Sequence, residues 1–178
     1  QQMYWGLDQN LKIVRIDIDP TEINRISTPE IGIVADARIA LQALLSALDR
    51  HNSPRTSRKQ ELTNLKAEFQ ATFEEKIAPQ MGYLRVIREE LPEDGFFVDE
   101  VTQVGFASWY AFPTYHPRHF ISAGYQGTLG YGYATALGVQ AAHPDKKVVA
   151  IAGDGGFLFN VQELATAVQY GLGVVVIV

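Results

Sequence analysis

VVAIAGDGGFLFNVQELATAVQYGLGVVVIV, residues 148–178, carries the reading that decides the fold. It opens on five small or branched apolar residues, Val148 to Ala152, with no polar residue among them. Such a run is a strand buried on both faces, as in a parallel sheet. It stops at Gly153-Asp154-Gly155-Gly156, after which a helix is expected with a delay. Asn160 and Glu163 have the spacing of a capping box, and Val161, Leu164, Ala165 and Val168 share the face expected to turn inward. Gly171 ends that helix, and GVVVIV is the next strand. Strand, loop, helix and strand form a βαβ unit, which crosses over right-handed with its strands parallel.

The same α/β alternation runs through the rest of the chain. KIVRIDIDP (residues 12–20) alternates Val14, Ile16 and Ile18 with Arg15, Asp17 and Asp19, a strand with one wet face. Asp19, Pro20 and Glu22 then read as the cap, first position and first-turn acid of a helix. IGIVA (31–35) is a second strand, and Asp36 caps a helix whose Leu41, Leu44, Leu45 and Leu48 lie on one face. Residues 49–60 are polar and broken by Pro54, the best linker candidate. The next helix carries Leu62, Leu65, Phe69 and Phe73 and ends near Pro79; another spans about 83–91 and leads into the strand FFVDE. FIS begins a short strand at residue 120, GYQGTLGYG places glycines at 124, 127, 130 and 132, and ATALGVQAA is a helix of small residues.

A hydrophobic content of 47% against 20% charged residues describes a globular chain, with no apolar run long enough to span a bilayer. The net charge of −5 disfavours a nucleic-acid partner, which would ask for a basic face. The lack of cysteine excludes disulfides and thiolate metal sites and fits a cytoplasmic protein. Both ends read as cut, since the last residues stand inside an apolar strand, and the sequence is expected to be a fragment.

In open parallel sheets, ligands sit just beyond the carboxyl ends of the strands, which is where this reading puts Asp154. Gly155 and Gly156 let backbone N–H groups approach phosphate oxygens. A carboxylate beside a phosphate is unfavourable by about 4 kcal/mol per charge pair at roughly 4 Å and an effective dielectric of ~20. A hard divalent cation removes that conflict by taking oxygen ligands from both, and Mg²⁺ does so readily. Gly-Asp-Gly-Gly after a buried strand therefore points to a Mg²⁺-bridged diphosphate.

GDGGFLFNVQELATAVQYGLGVVVIV resembles the opening of the thiamine-diphosphate-binding motif, which begins with Gly-Asp-Gly and closes with asparagines just past the next strand. SAGYQGTLGYGYATALGVQ resembles the segment of acetolactate-synthase-like enzymes that holds the aminopyrimidine, and KIVRIDIDPTEI with GIVADARIALQALL resembles the end of their middle domain. The resemblance implies a parallel-sheet thiamine-diphosphate-binding fold over residues 81–178. Before it would come the tail of a Rossmann-like middle domain over 1–50 and a linker with a connecting helix over 51–80. It implies Asp154 as a Mg²⁺ ligand, with Gly153, Gly155 and Gly156 around the diphosphate. Gly127 would offer its carbonyl to the pyrimidine amino group, beside Thr128, and Leu129 would be the wedge that bends the cofactor. Thr102 and Gln103 would lie near the diphosphate, although the family's usual residues there differ. The implied activity is transferase or lyase chemistry on a 2-oxo acid, decarboxylation with carboligation, with simple decarboxylation or flavin-linked oxidation as alternatives on the same scaffold. FAD is a further cofactor expectation, for the middle domain. The glutamate that activates the pyrimidine in this family lies in an N-terminal domain, and the second metal ligand is an asparagine expected beyond Val178. No catalytic residue is therefore assigned here.

Other readings stay open beside these. GTLGYG has dinucleotide-loop spacing, but no acidic residue follows at the end of a second strand. A nucleotide-binding module without catalysis is the alternative from another class. His116 and His119 read as a solvated, proline-broken loop with substrate contact as the second choice. His51 and His143 carry no expected role, and Leu129 on composition alone is a core leucine. A homodimer or homotetramer is expected, with the aromatic stretch 106–120 at an interface or at the active-site mouth.

Overall fold

The computed structural model describes residues 10–178, so the start of the expected middle-domain tail, residues 1–9, lies outside the described residues. The chain divides into two compact units, one ending at Ser57 and the other beginning at Arg58. In the first, β1 (Val14–Asp17) pairs in parallel with β2 (Ile31–Val34), register Val14 to Ile31. Helix α1 (Ala37–His51) follows, its first N–H groups satisfied by the Asp36 carboxylate, which accepts from Arg38 N at 3.0 Å and Ile39 N at 3.2 Å. Arg50 and His51 continue the helix into the polar stretch expected to be linker, since basic side chains suit the negative end of the helix dipole.

The helix expected after β1 is absent: residues 20–24 are turns and 25–27 a bend. Asp19 instead closes a local turn, accepting from Thr21 N at 2.8 Å and Thr21 Oγ1 at 2.7 Å. Pro29 and the start of β2 follow too soon for a helix to gain a buried face, and Ile26 stays 72% exposed.

The second unit begins with α2 (Lys59–Lys76) and α3 (Ala78–Glu90), the latter starting about a turn earlier than expected because Pro79 sits in its first turn. Then come β3 (Phe96–Val98), α4 (Gln103–Ala111), β4 (Phe120–Ile121), α5 (Tyr131–Ala142), β5 (Val148–Ile151), α6 (Asp154–Phe159), α7 (Leu164–Tyr170) and β6 (Val175–Ile177). The sheet order is β4-β3-β5-β6, all parallel. Two-residue alternation splits β3 and β5 between two cores. Phe97 and Ile151 pack with Met81, Leu84, Ile87 and Leu91 on the α3–α4 face. Phe96, Val98, Val148 and Ala150 pack with Ala136 on the α5 face. Both faces are covered, which is why these strands carry no polar residue.

Three apolar stripes remain open among the described residues. Leu41, Leu44, Leu45 and Leu48 are 44–68% exposed, Leu62, Leu65 and Phe69 43–53%, and on α7 Leu164 and Val168 are 48% and 83% exposed. The inward turn expected for α7 is thus corrected: its stripe faces outward within this chain. No helix of the described residues is long and apolar enough to cross a membrane.

Candidate cofactor site

The chain leaves β3 toward β4 on one side of the sheet and leaves β5 toward β6 on the other. Diverging connections from adjacent parallel strands open a crevice beyond their carboxyl ends, the place where α/β sheets receive ligands. Three segments meet there: residues 99–102 after β3, 124–132 between β4 and α5, and 152–156 after β5. Their closeness is measurable at the glycines. A Cβ on Gly153 would stand 3.5 Å from the Val101 carbonyl oxygen and 3.6 Å from Thr102 Cγ2, and one on Gly127 3.4 Å from Val101 Cγ2.

Helix α6 begins at Asp154 itself, without the delay expected from the sequence. Asp154 is exposed, and its Oδ1 accepts from the Gly155 N–H at 2.8 Å. The two following glycines have different surroundings. Nothing lies within 4 Å of a Cβ built on Gly155, which leaves open space beside the carboxylate. Gly156 is buried, and a Cβ there would overlap Glu100 Oε1. Beside the expectation that both glycines open the backbone to a ligand, Gly156 also makes room for a side chain of its own protein. Asn160 does not cap the next helix. Its Nδ2 donates to the Gly130 carbonyl, tying α6 to the glycine loop, while Glu163 accepts from Thr166 Oγ1 at 2.6 Å.

In that loop, Gly127 (φ 57°) and Gly130 (φ 83°) lie in the left-handed region, where a side chain would strain the backbone. Leu129 between them is 50% exposed, so it is not the core leucine that composition alone suggests. Thr128 is exposed as well. Thr102 is the N-cap of α4, its Oγ1 accepting from Gly105 N at 2.7 Å with the hydroxyl proton left to donate. Gln103 is turned elsewhere: its Oε1 accepts from Gln80 Nε2 on α3 at 2.8 Å.

The residue that sequence reasoning missed is Glu100. It is 2% exposed, and its carboxylate accepts from Gly130 N at 2.6 Å and Gly132 N at 3.0 Å. A Cβ on Gly132 would lie 2.7 Å from Glu100 Oε2. The signal was present, because Asp99 and Glu100 stand after a buried strand just as Asp154 does.

Residues 100–178 match the family model "Thiamine pyrophosphate enzyme, C-terminal TPP binding domain". This part of the chain belongs to the thiamine pyrophosphate enzymes. The chain is similar to the acetolactate synthase large subunit of Haemophilus influenzae, 36% identical over 175 residues that cover 94% of this chain and 30% of the relative. It is 34% identical over 181 residues to the acetolactate synthase isozyme 3 large subunit of Escherichia coli, covering 94% and 30%. The probable 2-ketoarginine decarboxylase AruI of Pseudomonas aeruginosa is 35% identical over 159 residues, covering 88% and 28%. The chain thus spans less than a third of the length of these relatives.

The donor set of this thiamine pyrophosphate enzyme domain fits a Mg²⁺-diphosphate. Asp154 is an exposed hard-oxygen donor beside the open space at Gly155. Among the described residues no group of three or more His, Cys, Asp or Glu is placed to hold a metal, so Asp154 would be one ligand of the ion and the others would come from elsewhere. The three histidines of this unit, His116, His119 and His143, lie at the other end of the sheet. His119 precedes β4 and stacks on Phe96 at 4.2 Å between ring centroids, His143 stacks on Phe96 at 4.6 Å, and His116 lies 5.1 Å from His119. Within this unit His116 and His119 therefore stand away from the crevice. A cleft of about 750 Å³ between α5 and α7 is at that far end too, lined by Lys146, Lys147 and Gly171 to Gly173.

Asp99 is the second buried acid at the near end, 2% exposed. Its Oδ2 accepts from Trp109 Nε1, while Oδ1 has no hydrogen-bond partner. Burial raises its pKa, opposed by Trp109 and, more weakly, by the nearby Ser122 hydroxyl and Ala123 N–H, which lie outside hydrogen-bond geometry. A carboxyl with a raised folded pKa binds more protons folded than unfolded, so stability falls as pH climbs from the unfolded value, about 3.9, through the folded one. Asp99→Asn keeps an acceptor for Trp109 and removes the ionisation. We expect it to raise the thermal midpoint at pH 7 and to leave it unchanged below pH ~3.5, where both states are protonated. Melting curves across pH check this.

Proposed function

We propose that the protein is a thiamine-diphosphate- and Mg²⁺-dependent enzyme acting on 2-oxo acids, with acetolactate-synthase-like decarboxylation and carboligation. The observation that carries the reading is the convergence of the Gly127–Gly130 loop, Thr102 and the exposed Asp154 on one crevice of a domain matched to TPP binding. Asp154 would ligate Mg²⁺, and Gly155, with its open flank, would direct backbone toward the diphosphate. The Gly127 carbonyl would receive the pyrimidine amino group, and the half-exposed Leu129 would press against the bent cofactor. Thr102 would donate its hydroxyl proton toward the diphosphate. When bound, thiamine diphosphate supplies a nucleophilic carbon and an electron sink for the 2-oxo acid. The chain's residues hold it in place.

Incubating the full-length protein with pyruvate, thiamine diphosphate and Mg²⁺ tests the reading: acetolactate is the expected product. Acetaldehyde or acetate would replace carboligation with decarboxylation or oxidation, and no turnover of any 2-oxo acid would defeat the enzyme reading. The 35% identity to the probable 2-ketoarginine decarboxylase favours a second reading, decarboxylation of a longer 2-oxo acid, so 2-ketoarginine belongs in the same assay. A homodimer or homotetramer is part of the proposal. Phe106, Trp109 and Tyr110 on α4 are 46%, 47% and 66% exposed, and such aromatic surface suits an interface. A monomer by light scattering of the full-length protein at micromolar concentration would refute it.

A further inference from the structure

Glu100 is a buried carboxylate that no part of the proposed chemistry uses. It comes from the end of β3, yet both hydrogen bonds to its oxygens come from the turn that starts α5, at Gly130 and Gly132. On its other side it fills the space beside Gly156, in the first turn of α6. The carboxylate is enclosed by groups that have no side chain because it occupies their place. A Cβ on Gly132 or Gly156 would meet Glu100 oxygens, and one on Gly105 would overlap the Glu100 carbonyl oxygen. Asn160 adds a second tie between α6 and the same turn by donating to the Gly130 carbonyl.

We propose that Glu100 is a positioning residue. Its carboxylate fixes the turn at Gly130–Gly132 against the turn at Gly155–Gly156, and so sets the spacing between the part of the site that takes a heterocycle and the part that takes a diphosphate. The inference rests on the reading of the crevice as a thiamine diphosphate site. Physically, the turn with its left-handed Gly130 and the glycine pair that opens α6 have many conformations open to them, and the ligand would otherwise have to order both. A buried acceptor that satisfies two N–H groups of one turn and packs against the other holds them in one arrangement beforehand. Among the described residues no hydrogen bond joins Glu100 to Gly127 or Asp154, so the effect is exerted through the backbone of the two turns.

The test uses the full-length protein, titrated calorimetrically with thiamine diphosphate and Mg²⁺ and followed by amide hydrogen exchange without ligand. Glu100→Gln keeps the volume but turns an N–H group toward the glycine donors. It is expected to weaken thiamine diphosphate binding by about 10-fold or more, the scale seen when groups that orient ligands are removed, and to speed exchange at Gly130 and Gly132. Affinity within twofold of the parent and unchanged exchange would overturn the proposal. Gly156→Ala is expected to weaken binding similarly by displacing the carboxylate. In a Glu100→Ala background the same substitution has nothing to displace, so its further effect should be less than about twofold. Additive losses would overturn the coupling. If the glutamine and alanine variants both fail to fold, Glu100 is a core staple and the positioning role is wrong. A parent protein that binds no thiamine diphosphate would defeat the proposed function instead, while the exchange rates still decide whether Glu100 orders the two turns.

Discussion

Asp154→Ala is expected to abolish Mg²⁺-dependent binding of thiamine diphosphate while the ligand-free protein folds as before. The carboxylate is exposed at the start of α6, so its removal opens no cavity. The carboxylate accepts from the N–H of its own neighbour Gly155. What is lost is the charge that offsets the cation. A charge pair at about 4 Å in an effective dielectric of ~20 is worth about 4 kcal/mol, or roughly a thousandfold in Kd. Asp154→Asn keeps an oxygen in place without the charge and should fall between the parent and alanine. Calorimetric titration with and without Mg²⁺ decides the matter. Unchanged affinity in Asp154→Ala would mean that the acid between the glycines is only a turn.

Legibility in the sequence followed physical range. Features set by a few neighbouring residues could be read directly: the parallel strands at 96–98, 148–151 and 175–177, the Asp36 cap, and the left-handed Gly171 that ends α7. Asp154 was found because a buried strand that ends in a carboxylate is a local contradiction. The Asp19 helix failed on the same local ground, because an acid that caps a helix also closes a two-residue turn, and length decided between them. Periodicity identified α1, α2 and α7 as helices with one apolar face, but it does not say whether the same chain covers that face. Glu100 was hidden for another reason. Its partners stand 30 and 32 residues away, and its role depends on glycines whose missing side chains only the fold brings around it.

Those glycines also show how the domain stabilises an acid in its interior. Glu100 has no cation within reach of the contacts described; two backbone N–H groups at the start of α5 take that part, where the helix dipole adds to them. Asp99, one residue earlier, receives one indole N–H and leaves an oxygen without a partner. Just past β3, the two acids end in different environments, one satisfied by two N–H groups and one desolvated with an oxygen left unpartnered. Substituting Asp99 should therefore act on stability through pH, and substituting Glu100 on the geometry of the crevice.

The largest expected effect on stability is at Phe97. Its side chain is fully buried at the centre of β3, stacked on Phe112 at 4.2 Å between ring centroids and 5.5 Å from Phe120. It stands on the face shared with Met81, Leu84, Ile87 and Leu91, so it joins α3 to the sheet. Phe97→Ala removes the ring from a site whose neighbours belong to a helix and two strands and cannot all close in. Truncations of this kind cost about 3–5 kcal/mol, a large share of the roughly 5–15 kcal/mol that keeps a domain folded. Phe97→Leu, which keeps much of the volume, should cost less than half as much. The loss should also reach the crevice, since the strand that Phe97 anchors runs directly into Asp99 and Glu100. Chemical denaturation of the full-length protein measures the first effect, and amide exchange at Gly130 and Gly132 the second. A cost below about 1 kcal/mol would place the domain's centre elsewhere than β3.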